Sequence, residues 1–220
     1  VMLGESIADL RAIGVLPATG DGGHLPDGSP IAVKEAVMPF DRFKTADGRT
    51  VDALLGPEMR STGEVMGVGW SFGEAYAKAL IASGMVLPTE GGVFLSVRDQ
   101  DKGETLATIA GAFRHMGFEL HATRGTHEWL SARGIGSKMV FKVREGRPDI
   151  VDEIKNGHIQ LMINTPEGKK GLKDDRAMRL AGLRYGIPCI TTLEAGRSAV
   201  EAVRSVRAGE LKVVKLQEIS

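Results

Sequence analysis

From residue 91 onward, short apolar runs alternate with amphipathic segments. The runs are typical of buried strands, and the segments between them space apolar residues three and four positions apart, as helices do. Strands that alternate with helices predict right-handed crossovers and a mostly parallel sheet covered by helices on both faces. We therefore predict an α/β fold, a three-layer sandwich, for this part of the chain.

The predicted elements of this part follow one another at short intervals. The strands are GVFLSV, FELHAT, KMVFKV, IQLMINT, IPCITT and LKVVKL. The helices lie over 102–116, 125–133, 149–156, about 172–185 and 194–207. Because Cys189 lies in IPCITT, we expect its thiol to be buried in the sheet and unreactive.

Residues before this alternation follow a different pattern. An amphipathic stretch over 1–14 predicts a short helix that is already under way at Val1 without a cap, so we expect a fragment of a longer protein. IAVKEAVMPF (31–40) predicts a strand, and the Gly- and Pro-rich 54–69 predicts a loop or a bent strand. SFGEAYAKALIASG (71–84) predicts a helix that ends at a glycine.

The composition excludes several classes of partner. The 28 basic and 28 acidic residues balance, so no global field attracts nucleic acid or a membrane surface, and any anion site must be local. No apolar run approaches the roughly 18 residues of a membrane span. The single cysteine excludes an internal disulfide and favours a reducing, cytoplasmic compartment, and no Cys/His cluster suggests a metal site.

Polar side chains follow the predicted strands, where ligands bind to an open parallel sheet. FELHATRGTHEWL (118–130) places two threonines, an arginine and a glycine in consecutive positions, more than a strand-to-helix turn requires. Thr123 and Thr126 would supply hydroxyl donors there, and Lys102 and Lys142 would supply positive charge. Together with free helix N–H groups, these side chains predict a seat for a phosphate.

A catalytic site would need a base or a nucleophile. The carboxylates near the predicted rim are Asp99, Asp101, Glu145 and Asp149. None is paired with a histidine at an informative spacing. His121 and His127 flank the turn and could serve as general acids, but a single histidine beside a turn is more often a cap or a surface residue. The rim is better suited to hold an anion than to transform one.

Several segments of the chain resemble one protein family. LLGPEMRSTGEVMGVG, LSVRDQDK, ELHATRGT, VFKVREGRPDIVDEIKNG and MINTPEGKK are similar to the carboxyl-terminal part of the carbamoyl phosphate synthetase large subunit. The resemblance implies that 1–66 is the tail of the second ATP-grasp module, followed by a helix and linker over 67–89. It implies that 90–220 is an allosteric domain with a methylglyoxal-synthase-like fold.

The resemblance also implies a function and partners. The parent enzymes make carbamoyl phosphate from bicarbonate, glutamine-derived ammonia and two molecules of ATP, with Mg or Mn, for pyrimidine and arginine biosynthesis. This chain would be the regulatory part, without catalysis or a cofactor of its own, and it would bind UMP and IMP. Its protein partners would be the remainder of the large chain and the glutaminase small subunit.

Site residues follow from the resemblance position by position. The implied nucleotide site consists of Ser96, Lys102, Thr123, Thr126, Lys142, Asn164 and Thr165. Pro166 and Arg124 depart from the family pattern, which leaves the preferred effector open. Ornithine, which activates many members, would contact Glu35 and Thr191, although Cys189 stands where the family has a helpful tyrosine.

Other functions remain open at this point. A phosphate-eliminating lyase of the methylglyoxal synthase type shares the fold but needs a carboxylate base, whose place falls near Arg147, with Asp149 two residues away. A domain of the IMP cyclohydrolase type is disfavoured by GPEMRSTGEV. A pure interaction module would use the apolar surface of EVMGVGWSFGEAYAKAL.

Overall fold

A computed structural model describes Met2 and residues 4–20, 27–38, 61–165, 168–209 and 211–219. The strands are β1 (Ile31–Ala36), β2 (Glu64–Gly69), β3 (Gly92–Ser96), β4 (Glu119–Thr123), β5 (Lys138–Val140), β6 (Leu161–Asn164) and β7 (Cys189–Ile190). The helices are α1 (Ile7–Ala12), α2 (Phe72–Ala82), α3 (Glu104–His115), α4 (Arg124–Ser131), α5 (Ile150–Lys155), α6 (Gly168–Tyr185) and α7 (Leu193–Arg207). Pro166 and residues 54–60 of the predicted 54–69 loop or bent strand lie outside the described residues, and the rest of that segment includes β2.

Five of the strands form one sheet, in the order β5-β4-β3-β6-β7, and every neighbouring pair is parallel. The chain therefore builds outward from β3 on one side through β4 and β5, and then on the other side through β6 and β7. Beside β3, the connections to neighbouring strands therefore run in opposite directions. In folds of this kind, ligands bind in the crevice that forms at this point, outside the carboxyl ends of the strands. Strands β1 and β2 form a separate antiparallel pair.

Helices cover both faces of the parallel sheet. Val93 and Leu95 of β3 pack into the larger core with α3 and α7, whereas Phe94, between them in sequence, packs into a second core with α5 and α6. This separation follows from the strand period of two, which sends successive side chains to opposite faces. The predicted three-layer α/β sandwich, preceded by a smaller α+β part, is confirmed.

Helix α2 lies between the small sheet and the sandwich. Gly67 of β2 packs so closely on α2 that an added Cβ would overlap the backbone at Ala75 and Ala79. Gly73 of α2 lies against α7, where an added Cβ would be 2.6 Å from the Glu201 carbonyl oxygen. Close backbone contact on both sides of α2 therefore joins the two parts of the structure, and the division into 1–66, 67–89 and 90–220 stays a prediction.

Two predictions about the sheet are wrong. LKVVKL is not a strand: residues 211–215 form no regular structure, because Leu211 packs on the larger core and the Lys212 N–H donates to Glu74 Oε1 at 3.3 Å. The segment thus contacts α2 at Glu74 instead of pairing with a strand. Cys189 is half-buried, because β7 is an edge strand with a neighbour on one side only.

Among the described helices, none is long and apolar enough to cross a membrane.

The contact between α2 and α7 predicts opposite effects for one substitution at two helical glycines. Gly73→Ala places a methyl group against the Glu201 carbonyl and the Ser205 hydroxyl, so we expect a loss of about 1–3 kcal/mol in the free energy of unfolding. Gly111→Ala in α3 meets no atom within 4 Å and should stabilise the chain by about 0.5–1 kcal/mol. Urea denaturation measures both, and equal effects would contradict the packing described.

Candidate functional site

The predicted site residues gather at one edge of the parallel sheet. Ser96 ends β3, Thr123 ends β4 and Asn164 ends β6, and Ser96 is the register partner of Asn164. Lys102 precedes α3 and Lys142 follows β5 closely. Parallel pairing brings the carboxyl ends of these strands to the same edge, as the sequence predicts.

A cleft of about 480 Å³ opens at this edge, and we call it the basic cleft. It is lined by Val97, Arg98, Asp99, Lys102, Thr123, Arg124, Gly125, Thr126, Lys142 and Glu145. Four of these side chains are cationic and two are carboxylates, so the cleft carries positive charge within a protein whose charges balance. The cleft is thus a local concentration of positive charge, which is where the sequence predicts that an anion would bind.

Helix α4 begins at the basic cleft without a side-chain cap. Thr123 occupies the N-cap position, but its hydroxyl does not accept from the helix and instead donates to Thr126 Oγ1 at 3.3 Å. The first N–H groups of a helix have no intrahelical partner and carry the positive end of the helix dipole. Those of α4 are thus left for an anion in the cleft.

Thr126 has a structural role that the sequence does not reveal. Its side chain is 1% exposed, and Oγ1 accepts from the Val97 N–H at 3.1 Å and donates to the Val97 carbonyl at 3.4 Å. The hydroxyl therefore joins the end of β3 to the first turn of α4, and its proton is already used. Thr126 positions the cleft, and Thr123 and the helix N–H groups face it.

Lys102 is tied into the same edge by an ion pair. Its Nζ lies 2.6 Å from Asp99 Oδ1 and donates to the Gly125 carbonyl at 3.0 Å. The Lys102 side chain is 11% exposed, whereas that of Asp99 is 89% exposed. The hydrogen bond from Lys102, the charge of the same ammonium and that of Lys142 lower the pKa of Asp99. Asp99 is therefore a charged competitor for any anion that approaches Lys102.

Lys142 lies on the opposite side of the basic cleft, in a tight turn. The Lys142 N–H donates to Glu145 Oε2 at 3.3 Å, and the Glu145 N–H donates to the Lys142 carbonyl at 3.1 Å. Arg144 within the turn has a φ of 72°, in the left-handed region. No carboxylate among the described residues lies within 4.0 Å of the Lys142 ammonium, which leaves this charge available to a ligand.

A second cleft of about 560 Å³ adjoins the first, and we call it the hydroxyl cleft. It is lined by Arg98, Gln100, Asp101, Gly103, Thr105, Thr165, Thr191, Thr192, Leu193 and Glu194. Arg98 lines both clefts and pairs with Asp101 at 2.7 Å, which lowers the pKa of Asp101. The predicted rim is thus divided: Thr165 lies in the hydroxyl cleft, and Ser96 and Asn164 line neither cleft.

Sequence reasoning missed the contact between Arg98 and Thr165, which separates the clefts. The Arg98 N–H donates to Thr165 Oγ1 at 3.0 Å, so the arginine that pairs with Asp101 is fixed to the end of β6. Within RDQDK, Arg98 with Asp101 and Asp99 with Lys102 are both opposite charges three positions apart. That spacing was the available signal for two local ion pairs.

The remaining candidates for catalysis are engaged elsewhere. Asp149 is buried and caps α5, accepting from the Val151 N–H at 2.9 Å and from the Asp152 N–H at 3.2 Å. His127 Nδ1 lies 2.9 Å from Ser137 Oγ. The suggestion that His121 is a cap or a surface residue is wrong, because its side chain is fully buried within the sheet. Among the described residues, no three His, Cys, Asp or Glu side chains are grouped to hold a metal.

The two residues predicted for ornithine lie in different sheets. Glu35 is on β1 and faces Tyr76, whose pKa is raised by burial and then by the Glu35 charge. Thr191 follows β7 and lines the hydroxyl cleft. Among the described residues, no hydrogen bond or ion pair joins Glu35 to Thr191, and their role stays a prediction.

The domain that carries the basic cleft belongs to a known class. The family profile described as the MGS-like domain matches residues 105–191, a range that includes Thr123, Lys142 and Thr165. Among solved structures, methylglyoxal synthase from Elizabethkingia anophelis aligns with a TM-score of 0.42 at 18% identity, over 53% of this chain and 80% of that one. It is the family match over residues 105–191 that shows an MGS-like domain in this chain.

The similarity to whole sequences is more specific. The carbamoyl phosphate synthase large chain of Micrococcus luteus is 46% identical over 221 residues, 98% of this chain and 20% of the relative. That of Streptomyces coelicolor is 46% identical over 223 residues, 99% of this chain and 20% of the relative. The chain is thus related, over nearly its whole length, to the carboxyl-terminal part of the carbamoyl phosphate synthase large chain, and the resemblance is confirmed. It spans about a fifth of the length of the curated relatives it matches.

The buried hydroxyl of Thr126 predicts a loss of stability that does not depend on any ligand. Thr126→Val leaves the Val97 N–H without its acceptor, so we expect the free energy of unfolding to fall by about 1–3 kcal/mol. Thr108→Val, the same change on the exposed face of α3, should stay within about 0.5 kcal/mol of the parent chain. Urea denaturation in the absence of nucleotides distinguishes the two, and an unchanged Thr126→Val would contradict the assigned role.

Proposed function

We propose that this chain is the regulatory, effector-binding carboxyl-terminal part of a glutamine-dependent carbamoyl phosphate synthetase large chain, and that the basic cleft binds the phosphate of UMP or IMP. The MGS-like domain and the relatives support the regulatory role. The nucleotide and its site rest on the chemistry of the cleft.

One observation carries the proposal: the available ammonium of Lys142 and the uncapped start of α4 line the same cleft as Lys102, Arg98 and Arg124. A phosphate monoester is a small dianion that several donors can bind at once. Charge-assisted hydrogen bonds from ammonium groups and helix N–H groups to phosphate oxygens are stronger than those between neutral groups. The cleft offers both kinds of donor to one anion.

The effector would act on the parent enzyme through linkage. The parent would make carbamoyl phosphate from bicarbonate, glutamine-derived ammonia and two molecules of ATP with Mg or Mn, for pyrimidine and arginine biosynthesis. A nucleotide that binds one state of this domain better shifts the equilibrium of the whole enzyme by that difference. A typical coupling of ~1–3 kcal/mol would change an affinity elsewhere by about 5- to 150-fold.

This role requires the rest of the large chain and the glutaminase small subunit as partners. It is also compatible with ornithine binding at Glu35 and Thr191.

The alternative function, a phosphate-eliminating lyase, would instead need a carboxylate base at the bound ligand. Asp149, the residue that could have supplied it, is buried as the cap of α5 and does not line the basic cleft. Asp99 and Glu145, which do line the cleft, are held by Lys102 and by the Lys142 N–H, so the described geometry favours binding over elimination.

The first prediction of the proposal concerns Lys142. Lys142→Ala removes the available ammonium, so the dissociation constant for UMP or IMP, measured by calorimetric titration, should rise about 10- to 150-fold. Lys155→Ala, which removes an exposed lysine from α5 outside the cleft, should leave the affinity unchanged. Equal affinities in both variants, or no binding by a folded parent chain, would refute the proposed site.

The second prediction has the opposite sign and concerns Asp99. Asp99→Asn removes the carboxylate that pairs with Lys102. The Lys102 ammonium then binds the phosphate without first giving up its ion pair with Asp99. Because Asp99 is exposed, the gain should be modest, about two- to fivefold in nucleotide affinity at low salt, and it should shrink as salt rises. The same titration measures it, and weaker binding in the variant would show that the Asp99–Lys102 pair organises the site.

A further inference from the structure

His121 is a buried polar group that the proposed function does not use. It lies in the middle of β4, beside Phe94 of β3 and Lys138 of β5 in the register of the sheet, and is 1% exposed. Neither Nδ1 nor Nε2 has a hydrogen-bond partner. Buried polar side chains are nearly always paired, so an imidazole with two unpaired nitrogens requires an explanation.

Carboxylates face the ring of His121 from both sides. Glu153 Oε2 of α5 lies 3.7 Å from Nδ1, and Glu119 Oε2 of β4 lies 3.8 Å from Nε2. Both distances are slightly too long for a hydrogen bond. A neutral imidazole can donate from one nitrogen only, whereas an imidazolium donates from both. After a short movement, each carboxylate would accept a hydrogen bond from one nitrogen of the protonated ring.

Other charged groups around the ring set the pH at which this happens. Burial, and then the charge of Lys138, lower the pKa of His121, and His158 acts in the same direction, while Glu153 and Glu119 oppose them. The ring is thus neutral at neutral pH and takes up its proton only below the ordinary pKa of 6.5. Since the unfolded chain binds this proton more readily, acidification through that range also costs stability.

Glu153 connects this ring to the basic cleft. The Glu153 carboxylate is buried, lies 3.0 Å from His158 Nδ1 and 3.5 Å from Lys138 Nζ, and belongs to the short helix α5. The first residue of α5, Ile150, donates its N–H to the Phe141 carbonyl at 3.0 Å. Phe141 directly precedes Lys142. A displacement of α5 toward β4 therefore acts on the turn that holds the Lys142 ammonium in the cleft.

We propose that His121 is a proton-sensitive switch: its protonation draws Glu153 and Glu119 into hydrogen bonds with the two ring nitrogens, and the accompanying shift of α5 moves Lys142 within the basic cleft. No covalent step is involved, and the proton comes from solvent. The device acts on the cleft whatever ligand the cleft binds, so its test needs no nucleotide and can fail independently of the proposed function.

The test is an NMR titration of the whole chain from about pH 7.5 to about pH 5, the range in which histidine changes charge. Ring resonances report the protonation of His121, and amide resonances of Lys142 and Glu145 report the cleft. We expect the amide shifts to follow the His121 ring with the same midpoint, below 6.5. A His121 ring that titrates without moving the Lys142 amide, or stays neutral until the chain unfolds, would overturn the proposal.

Three variants separate His121 from its neighbours. His121→Gln should abolish the transition at Lys142, whereas His127→Gln, which removes the histidine on α4, should retain it. Glu153→Gln keeps the shape of the α5 side chain but removes its charge, so the ring should titrate at lower pH and the shift at Lys142 should be lost. This third variant decides the matter if His121→Gln fails to fold. Persistence of the transition in folded His121→Gln or Glu153→Gln would assign it to another group.

Discussion

The parallel hydrogen bonding of β3, β4 and β6 is the constraint on which the candidate site depends. It forces three strands to end at the same edge, so that Ser96, Thr123 and Asn164, distant in sequence, become neighbours in space. The helices that follow these strands begin at that edge and direct their N-terminal N–H groups to it. The side chains then add cations and hydroxyls to an edge whose helix N–H groups already favour a negative charge.

The carboxylates near this edge decide what it can do. Asp101 pairs with Arg98, Asp99 pairs with Lys102, and Asp149 caps α5. Glu145 accepts from the Lys142 N–H, so each carboxylate is committed to a cation, a helix start or a turn. A carboxylate held in this way is a poor general base, because the lowered pKa of Asp99 and Asp101 reduces their affinity for a proton. The edge therefore retains positive charge and donors, which suit a phosphate that is bound and released unchanged.

Local periodicity predicted most of the fold, and long-range packing explains the failures. The alternation of strands and helices was sufficient for the three-layer sandwich because each element signals its own period. LKVVKL has the composition of a strand, but its place is set by Glu74, 138 positions away along the chain. The residues of the rim could be named because each follows the end of a predicted strand. Their division into two clefts could not, because it depends on the contact of Arg98 with Thr165. The burial of His121 likewise depends on α5, which its own strand does not reveal.

The hydroxyl cleft and the small sheet are linked by two helices in contact. Leu193 and Glu194, at the start of α7, line the cleft, and Gly73 places α2 directly against the other half of α7. On its opposite side α2 lies on Gly67 of β2, and buried Glu74 accepts hydrogen bonds from Trp70 and Lys78. With no side chain between these backbones, α2 packs directly on both α7 and the small sheet, and interiors packed at this density leave little space for one element to shift alone.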